Sequence, residues 1–391
     1  MDQVSMAAKI MSEFAASTGL SVSENPPRRY LWTDAFAVCN FLELYRLTGD
    51  ERWRKSALDL VDQVHYVLGR HRRDDQRSGW ISNLSEEKGA RHPTIGGLRI
   101  GKQTPERKPD EPFDEHLEWG RDGQYFHYLT KWMLALNRTS RCTKKPVYNI
   151  WAIELAKTAH DAFVYTLPTG ERRMHWKMSI DLSCPLTSSM GQHDPLDGLI
   201  TCKELQATAL ELFETPISSL ESEIEDMELL CKGQVWTTGD PLGIGGLLGE
   251  AYRTMQLYTK YGIVEKVLLY DLLESSRTGL DLLGNDRFWE LPPNYRLPFR
   301  ELGMATGLHA VDRMKKFMEK NPEHFTENDQ THEQVERLER YVSLGKAIEE
   351  FWLKPEHREA GTWKEHEDIN SVMLATTLIP GGYLELLPDQ S

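Results

Sequence analysis

The 391 residues carry 46 Lys and Arg against 60 Asp and Glu, a formal net charge of −14, with 40% of positions hydrophobic. A chain this long can bury a large core, and its acidic balance offers no field for phosphates, which excludes nucleic acid and disfavours an anionic membrane surface. Mean hydropathy is −0.52, and no apolar run nears the roughly 20 residues that span a bilayer.

The N-terminal stretch MDQVSMAAKIMSEFAASTGL has an acid at position 2 and no uninterrupted apolar core. It does not read as a signal peptide; a helix over roughly 3–18 is expected. Residues 31–48 (LWTDAFAVCNFLELYRLT) are apolar on most faces, which suits a helix buried all round. Gly49-Asp50 breaks it, and 51–71 follows with a stripe of Leu58, Val61, Val64 and Leu68. Segment 72–118, rich in Gly, Pro and charge (GGLRIGKQTPERKPDEPFDEH), reads as a non-helical insertion over a pocket mouth, with a strand hairpin in 79–101. The pairing then recurs. Segment 122–138 is followed by 146–165, 195–210 by 217–232, 241–261 by 264–283, and 299–319 by 332–353. A second strand hairpin is expected in 164–182. Segment 367–386 closes the chain and pairs with the N-terminal helix.

The pattern predicts about twelve helices in six hairpins, because short links such as LTGDE and KYGIVE force antiparallel neighbours. Fully apolar helices alternate with half-apolar ones, as in an inner and an outer ring. The expected fold is all-α, an (α/α)6 barrel forming a single domain over 1–391; a helical solenoid is the alternative. Five widely spaced cysteines without a CxxC pair suit reduced thiols in the cytoplasm. Neither they nor His71 and His92 show ligand spacing, so no metal is expected, and no cofactor. The sequons at Asn83 and Asn137 read as chance matches. A homo-oligomer is compatible with the sequence.

Six of the eleven tryptophans precede an expected inner helix: Trp32, Trp119, Trp176, Trp236, Trp289 and Trp363. Acidic residues follow most of them at or near the helix start, giving Asp34, Asp122, Asp194, Asp240 and Glu367. Each acid has a bland reading as a helix cap, and Asp194-Pro195 and Asp240-Pro241 match Asp at the N-cap with Pro at N1. The ensemble carries a sharper one. Inner helices running in parallel would open all their N-termini at one mouth, collecting carboxylates, imidazoles and indoles. Paired carboxylates there can split their pKa values and serve as acid and base, while indole faces stack on sugar rings.

Segments such as YLWTDAFAVCNFLELYRLTGDERW, EWGRDGQYFHYLTKW and TGDPLGIGGLLGEAYRTMQLYTKYG resemble the six-hairpin glycosidase-like superfamily over nearly the whole chain. That resemblance implies an (α/α)6 toroid acting on carbohydrate, as a glycoside hydrolase or an N-acylglucosamine 2-epimerase-like isomerase. The epimerase-like enzymes use histidines on inner helices, for which His127, His193 and His309 are the counterparts. The Cys-His-Gly motif of LanC-like cyclases, which share the toroid, is absent.

The densest polar segment is GQHDPLDG, with Gln192, His193, Asp194 and Asp197 between two glycines; a histidine there can act as acid or base near neutrality. In WGRDGQY, Arg121 reads first as a salt-bridge partner and second as a contact for an acidic substrate group, with Tyr125 and His127 beside it. Gly243-x-Gly245-Gly246 follows no strand, so it reads as helix packing and not as a phosphate loop. Asp74-Asp75 reads as a solvated turn. Three functions are carried forward. The first is a glycoside hydrolase using two of the mouth carboxylates, and the second a sugar epimerase using a histidine pair. The third is a terpenoid-like cyclase or non-catalytic toroid with the Trp ring around an apolar ligand.

Overall fold

The structure, a computed structural model, describes residues 2–21, 27–108, 110–187, 189–212, 219–284, 288–326 and 329–386. Two compact units divide the chain, one of residues 15–234 and one of residues 1–14 with 235–391. After α1 (Gln3–Ser17), the first unit contains α2 (Leu31–Thr48), α3 (Glu51–Leu68), α4 (Glu86–Arg91) and α5 (Glu115–Gly120). Strand β1 (Gln124–Tyr125) leads into α6 (Phe126–Thr143) and α7 (Pro146–Phe163). Strands β2 (Val164–Thr166), β3 (Arg172–Met174) and β4 (Lys177–Met178) precede α8 (Asp194–Leu212) and α9 (Glu221–Cys231).

Every residue from Leu31 to Leu44 is buried in α2, as an inner helix requires. Helix α3 buries only Trp53, Ala57, Leu60, Val61, Val64, His65 and Leu68, a single stripe at helical spacing. Between them Gly49 adopts φ 68° as the left-handed C-cap, and Asp50 caps α3 by accepting from the Arg52 N–H at 3.0 Å. Helices α2, α6 and α8 pack side by side, each backed by its own hairpin partner. Polar groups stitch this inner layer. Asn137 on α6 donates to Asn149 at 3.0 Å and to Thr208 at 2.7 Å, so its sequon is sealed in the core.

The second unit continues with α10 (Pro241–Tyr261), α11 (Lys266–Leu283), α12 (Pro298–Lys320), α13 (Gln330–Glu339), α14 (Val342–Leu353), α15 (Gly361–Lys364), α16 (Glu367–Leu378) and α17 (Gly381–Leu384). Helices α10, α12 and α16 form its inner layer. Glycines bring α10 and α12 together: a Cβ on Gly245 would stand 2.2 Å from the Gly303 carbonyl oxygen, and one on Gly307 2.5 Å from that of Gly245. Ile10 and Glu13 of α1 line one small cleft with Ser371 and Leu374 of α16, which places the first helix against α16.

Three expectations are corrected. Segment 72–118 is not wholly non-helical, because Ser85 and Asp114 cap the short helices α4 and α5 by accepting from Lys88 and Leu117. No strand hairpin occupies 79–101 among the described residues; α4 lies there, and β4 pairs with β1 instead, Tyr125 opposite Lys177. The second hairpin stands as β2–β3, Tyr165 opposite Arg173. Segments 332–353 and 367–386 each break into two helices, the first at Arg340-Tyr341 and the second at Ile379-Pro380. No described helix is long and apolar enough to cross a membrane.

Candidate active site

In the first unit the inner-helix starts do gather. The hydroxyls of Tyr30, just before α2, and Tyr128, in the first turn of α6, hydrogen-bond at 2.7 Å. His127 Nδ1 of α6 stands 3.9 Å from Asp194 Oδ1 at the start of α8. The β1–β4 pairing sets Trp176 beside Tyr125, ring centroids 5.3 Å apart. Tyr125 in turn lies against His127 at 5.5 Å and 29°, and Trp119 meets Trp176 edge-on at 4.7 Å. Trp119 stays 49% exposed. A chain of ring contacts thus runs from exposed Trp119 through half-buried Trp176 and buried Tyr125 towards an acid and an imidazole.

Asp194 differs from every other candidate carboxylate. Its Oδ2 is buried with no hydrogen-bond partner among the described residues, so it is not the satisfied helix cap that its sequence position suggested. Gly191 folds the preceding loop over it; a Cβ there would lie 2.4 Å from the carboxyl carbon. Burial first, and the Asp197 carboxylate one helical turn on, push the Asp194 carboxyl up to about 8. At neutral pH it holds a proton. Burial likewise pushes the His127 imidazole down to about 4, so it is neutral, although 28% of its side chain remains accessible. Asp197 is an ion-pair partner, with Lys131 Nζ 2.8 and 3.0 Å from its two oxygens.

Three of the remaining acids, Asp122, Asp34 and Asp240, are held in structural bonds. Asp122 is fully buried, its Oδ2 accepting from Arg99 at 2.9 Å and Arg72 at 3.3 Å and its Oδ1 from the backbone N–H of Gly101 at 2.9 Å and Lys102 at 3.3 Å. It anchors the glycine loop 96–102. Asp34 reaches back to the Tyr30 N–H at 2.9 Å and pairs with Arg29. In the second unit, Asp240 caps α10 through the Gly243 N–H and pairs with Arg300. Glu367 is exposed on the rim of the α1–α16 cleft, a space of about 140 Å³.

The other candidates scatter. Trp32 packs on Phe36 at 4.6 Å and Trp363 on Trp352 at 5.6 Å, both inside the core. Trp236 is buried, and Trp289 uses its carbonyl to hold Arg296. Arg121 pairs with Glu111, as its bland reading had it. His309 binds Glu349 of α14, which also accepts from Thr377 at 2.6 Å. Gln192 is exposed and His193 half-buried in the loop before α8. Among the described residues no group of three or more His, Cys, Asp or Glu is placed to hold a metal ion.

Several members of the cluster carry no sequence signal of their own. Lys102 and Lys177 set their ammonium groups 5.6 and 5.3 Å from the Tyr125 ring centroid. Lys177, fully buried, is held by Glu118 at 2.8 Å. Only the glycines around Lys102 hinted at a shaped loop.

No protein-family model matches the chain, and no curated protein matches it in sequence. Solved structures do. The α-1,6-mannanase GH76A of Salegentibacter sp. HEL1_6 superposes with a TM-score of 0.55 at 11% identity, over 99% of this chain and 100% of that one. Its inactive variant, bound to α-1,6-mannotetrose, gives 0.54 at 12% over the same shares. The GH76 α-mannanase of Bacteroides thetaiotaomicron gives 0.53 at 8%, over 97% and 96%. The fold is the (α/α)6 toroid. The inactive mannanase has two consecutive aspartates replaced by alanine. The one consecutive pair in this chain, Asp74-Asp75, is tied to Arg72 and Arg77 at 2.8 Å each.

Proposed function

We propose that the protein is a carbohydrate-active enzyme that cleaves a glycosidic bond, with Asp194 as its general acid. The observation that carries this is the Asp194 carboxyl, its Oδ2 buried without a hydrogen-bond partner among the described residues, 3.9 Å from the His127 imidazole at the inner end of the aromatic run; burial favours the protonated acid and the neutral imidazole. A carboxylic acid kept neutral at pH 7 is what protonation of a leaving oxygen needs. Indole and phenol faces suit the C–H faces of a sugar ring.

Asp194 gives its proton to the glycosidic oxygen as the bond from that oxygen to the anomeric carbon breaks. After the leaving sugar departs, water adds to the anomeric carbon from the same side, because His127 stands beside Asp194, and gives a proton to His127. The imidazolium then returns that proton to the Asp194 carboxylate, so both groups end as they began. Trp119, exposed, and Trp176, half-buried, hold the sugar, and Tyr125 backs them from the core. The mannan-cleaving activity of structures with this fold supports a sugar substrate. The five free cysteines suit the reducing cytoplasm, where we place the protein.

The same couple, one group protonated and its neighbour not, also suits proton exchange at a sugar carbon. Product analysis separates the two: hydrolysis releases reducing ends, whereas epimerisation changes configuration without changing mass. An apolar cyclase pot has less support, since it would leave the buried acids satisfied as caps, and Asp194 is not.

Incubation with a panel of α- and β-linked oligosaccharides, assayed for both products, tests the reading. Activity should fall by about 10²–10⁴ in Asp194→Asn. In the wild type it should run between an acid limb near 4, where His127 protonates, and a basic limb near 8, where Asp194 loses its proton. Full activity in Asp194→Asn would end the proposal.

A further inference from the structure

Among the basic groups around the aromatic surface, Lys102 stands apart. Arg72 and Arg99 hold Asp122, Arg107 and Lys177 hold Glu118, and Arg121 holds Glu111. Lys102 Nζ has no carboxylate within ion-pair distance among the described residues; its side chain donates there only to the Trp119 carbonyl. The ammonium sits over the buried Tyr125 ring and binds the carbonyl of exposed Trp119, so it adjoins the Trp119–Trp176 pair on which a sugar would lie. A half-buried ammonium lacking a counter-ion is costly unless something supplies one.

We infer that Lys102 supplies a charge-selective subsite for a sugar bearing an anionic group, a carboxylate or a phosphate. The inference rests on the carbohydrate reading above and narrows it. Geometry supports it in two further ways. One N–H of the ammonium is fixed by the Trp119 carbonyl, which leaves two donors for an incoming oxyanion. The nearest carboxylates cannot swing to it, because Asp122 accepts four hydrogen bonds and Glu118 is clamped by Lys177 and Arg107. Burial and the charge of Lys177 push the Lys102 ammonium down to about 8, a penalty that a bound anion would relieve.

The test is calorimetric titration of the full chain with glucose, mannose and galactose and with their uronates and 6-phosphates. At least one anionic hexose should bind about tenfold more tightly than its neutral parent, as one charge-assisted hydrogen-bonded pair provides. The uronate and phosphate arms say which anion it is. Lys102→Met should bring the ratio of anionic to neutral affinity to about one, and Lys102→Arg should keep most of it. Equal affinity for neutral and anionic sugars, or a ratio that survives in Lys102→Met, overturns the inference while leaving the carbohydrate reading standing. Failure of every sugar to bind overturns both.

Discussion

Asp194 and Asp122 precede neighbouring inner helices and look alike as letters, yet their environments pull them to opposite ends of carboxylate behaviour. Two guanidinium groups and two backbone N–H groups surround Asp122, while one oxygen of Asp194 has no hydrogen-bond partner among the described residues. That difference has a thermodynamic consequence. The ordinary aspartate value is 3.8, and the folded protein holds Asp194 near 8. Across that window the folded state keeps a proton that the unfolded chain releases, so this group's contribution to stability is lost as pH rises from about 4 to about 8. Asp194→Asn removes the titration. Its melting temperature relative to wild type should therefore climb between pH 4 and pH 8, and a difference flat with pH would show that the carboxyl is not held protonated. The cluster His193-Asp194-x-x-Asp197 was legible in the sequence, as was its place before a helix. Which acid escapes structural pairing was not, because the donors that retire Asp34 and Asp122 come from Arg29, Arg72 and Arg99, and no local pattern announces those pairings.

At the level of elements, the hairpins were legible because two periodicities differ: α2 is buried on every face, whereas α3 has one stripe. The glycines of α10 sort the same way once their neighbours are known. Gly245 faces the backbone of α12, and an added methyl meets Gly303 at 2.2 Å; Gly246 has open space within 4 Å. Gly245→Ala should destabilise by about 1–3 kcal/mol, since backbone cannot shift aside as a side chain can. Gly246→Ala should stabilise by about 0.5–1 kcal/mol through helix propensity alone. Chemical denaturation of the two variants side by side checks the contrast; similar values would mean the helices do not approach as described. Less legible were the short elements. Helices α4 and α5 have six residues each, too few for a period to register, and two-residue strands such as β1 and β4 exist only through their pairing.

For the molecule as a whole, thiol accessibility offers a global check on packing. All five cysteines are free, Cys39 and Cys202 buried and Cys184 exposed. Burial pushes Cys202 and Cys231 up to about 12 and raises Cys142, and a thiol reacts as its thiolate. Titration of the native protein with an aromatic disulfide should find one fast thiol, Cys184, and five after denaturation; several fast thiols in the native state would contradict the packing. The sequence by itself determined the helical class, the six-hairpin count, the acidic surface and the gathering of polar residues at helix starts, because periodicity, capping and composition are local or additive. Only the tertiary structure decided that, among the described residues, Asp194 Oδ2 is left without a donor, that His127 lies beside it and that Lys102 has no carboxylate within ion-pair distance. Each depends on groups brought from distant segments, and a buried charge is set by what surrounds it in space.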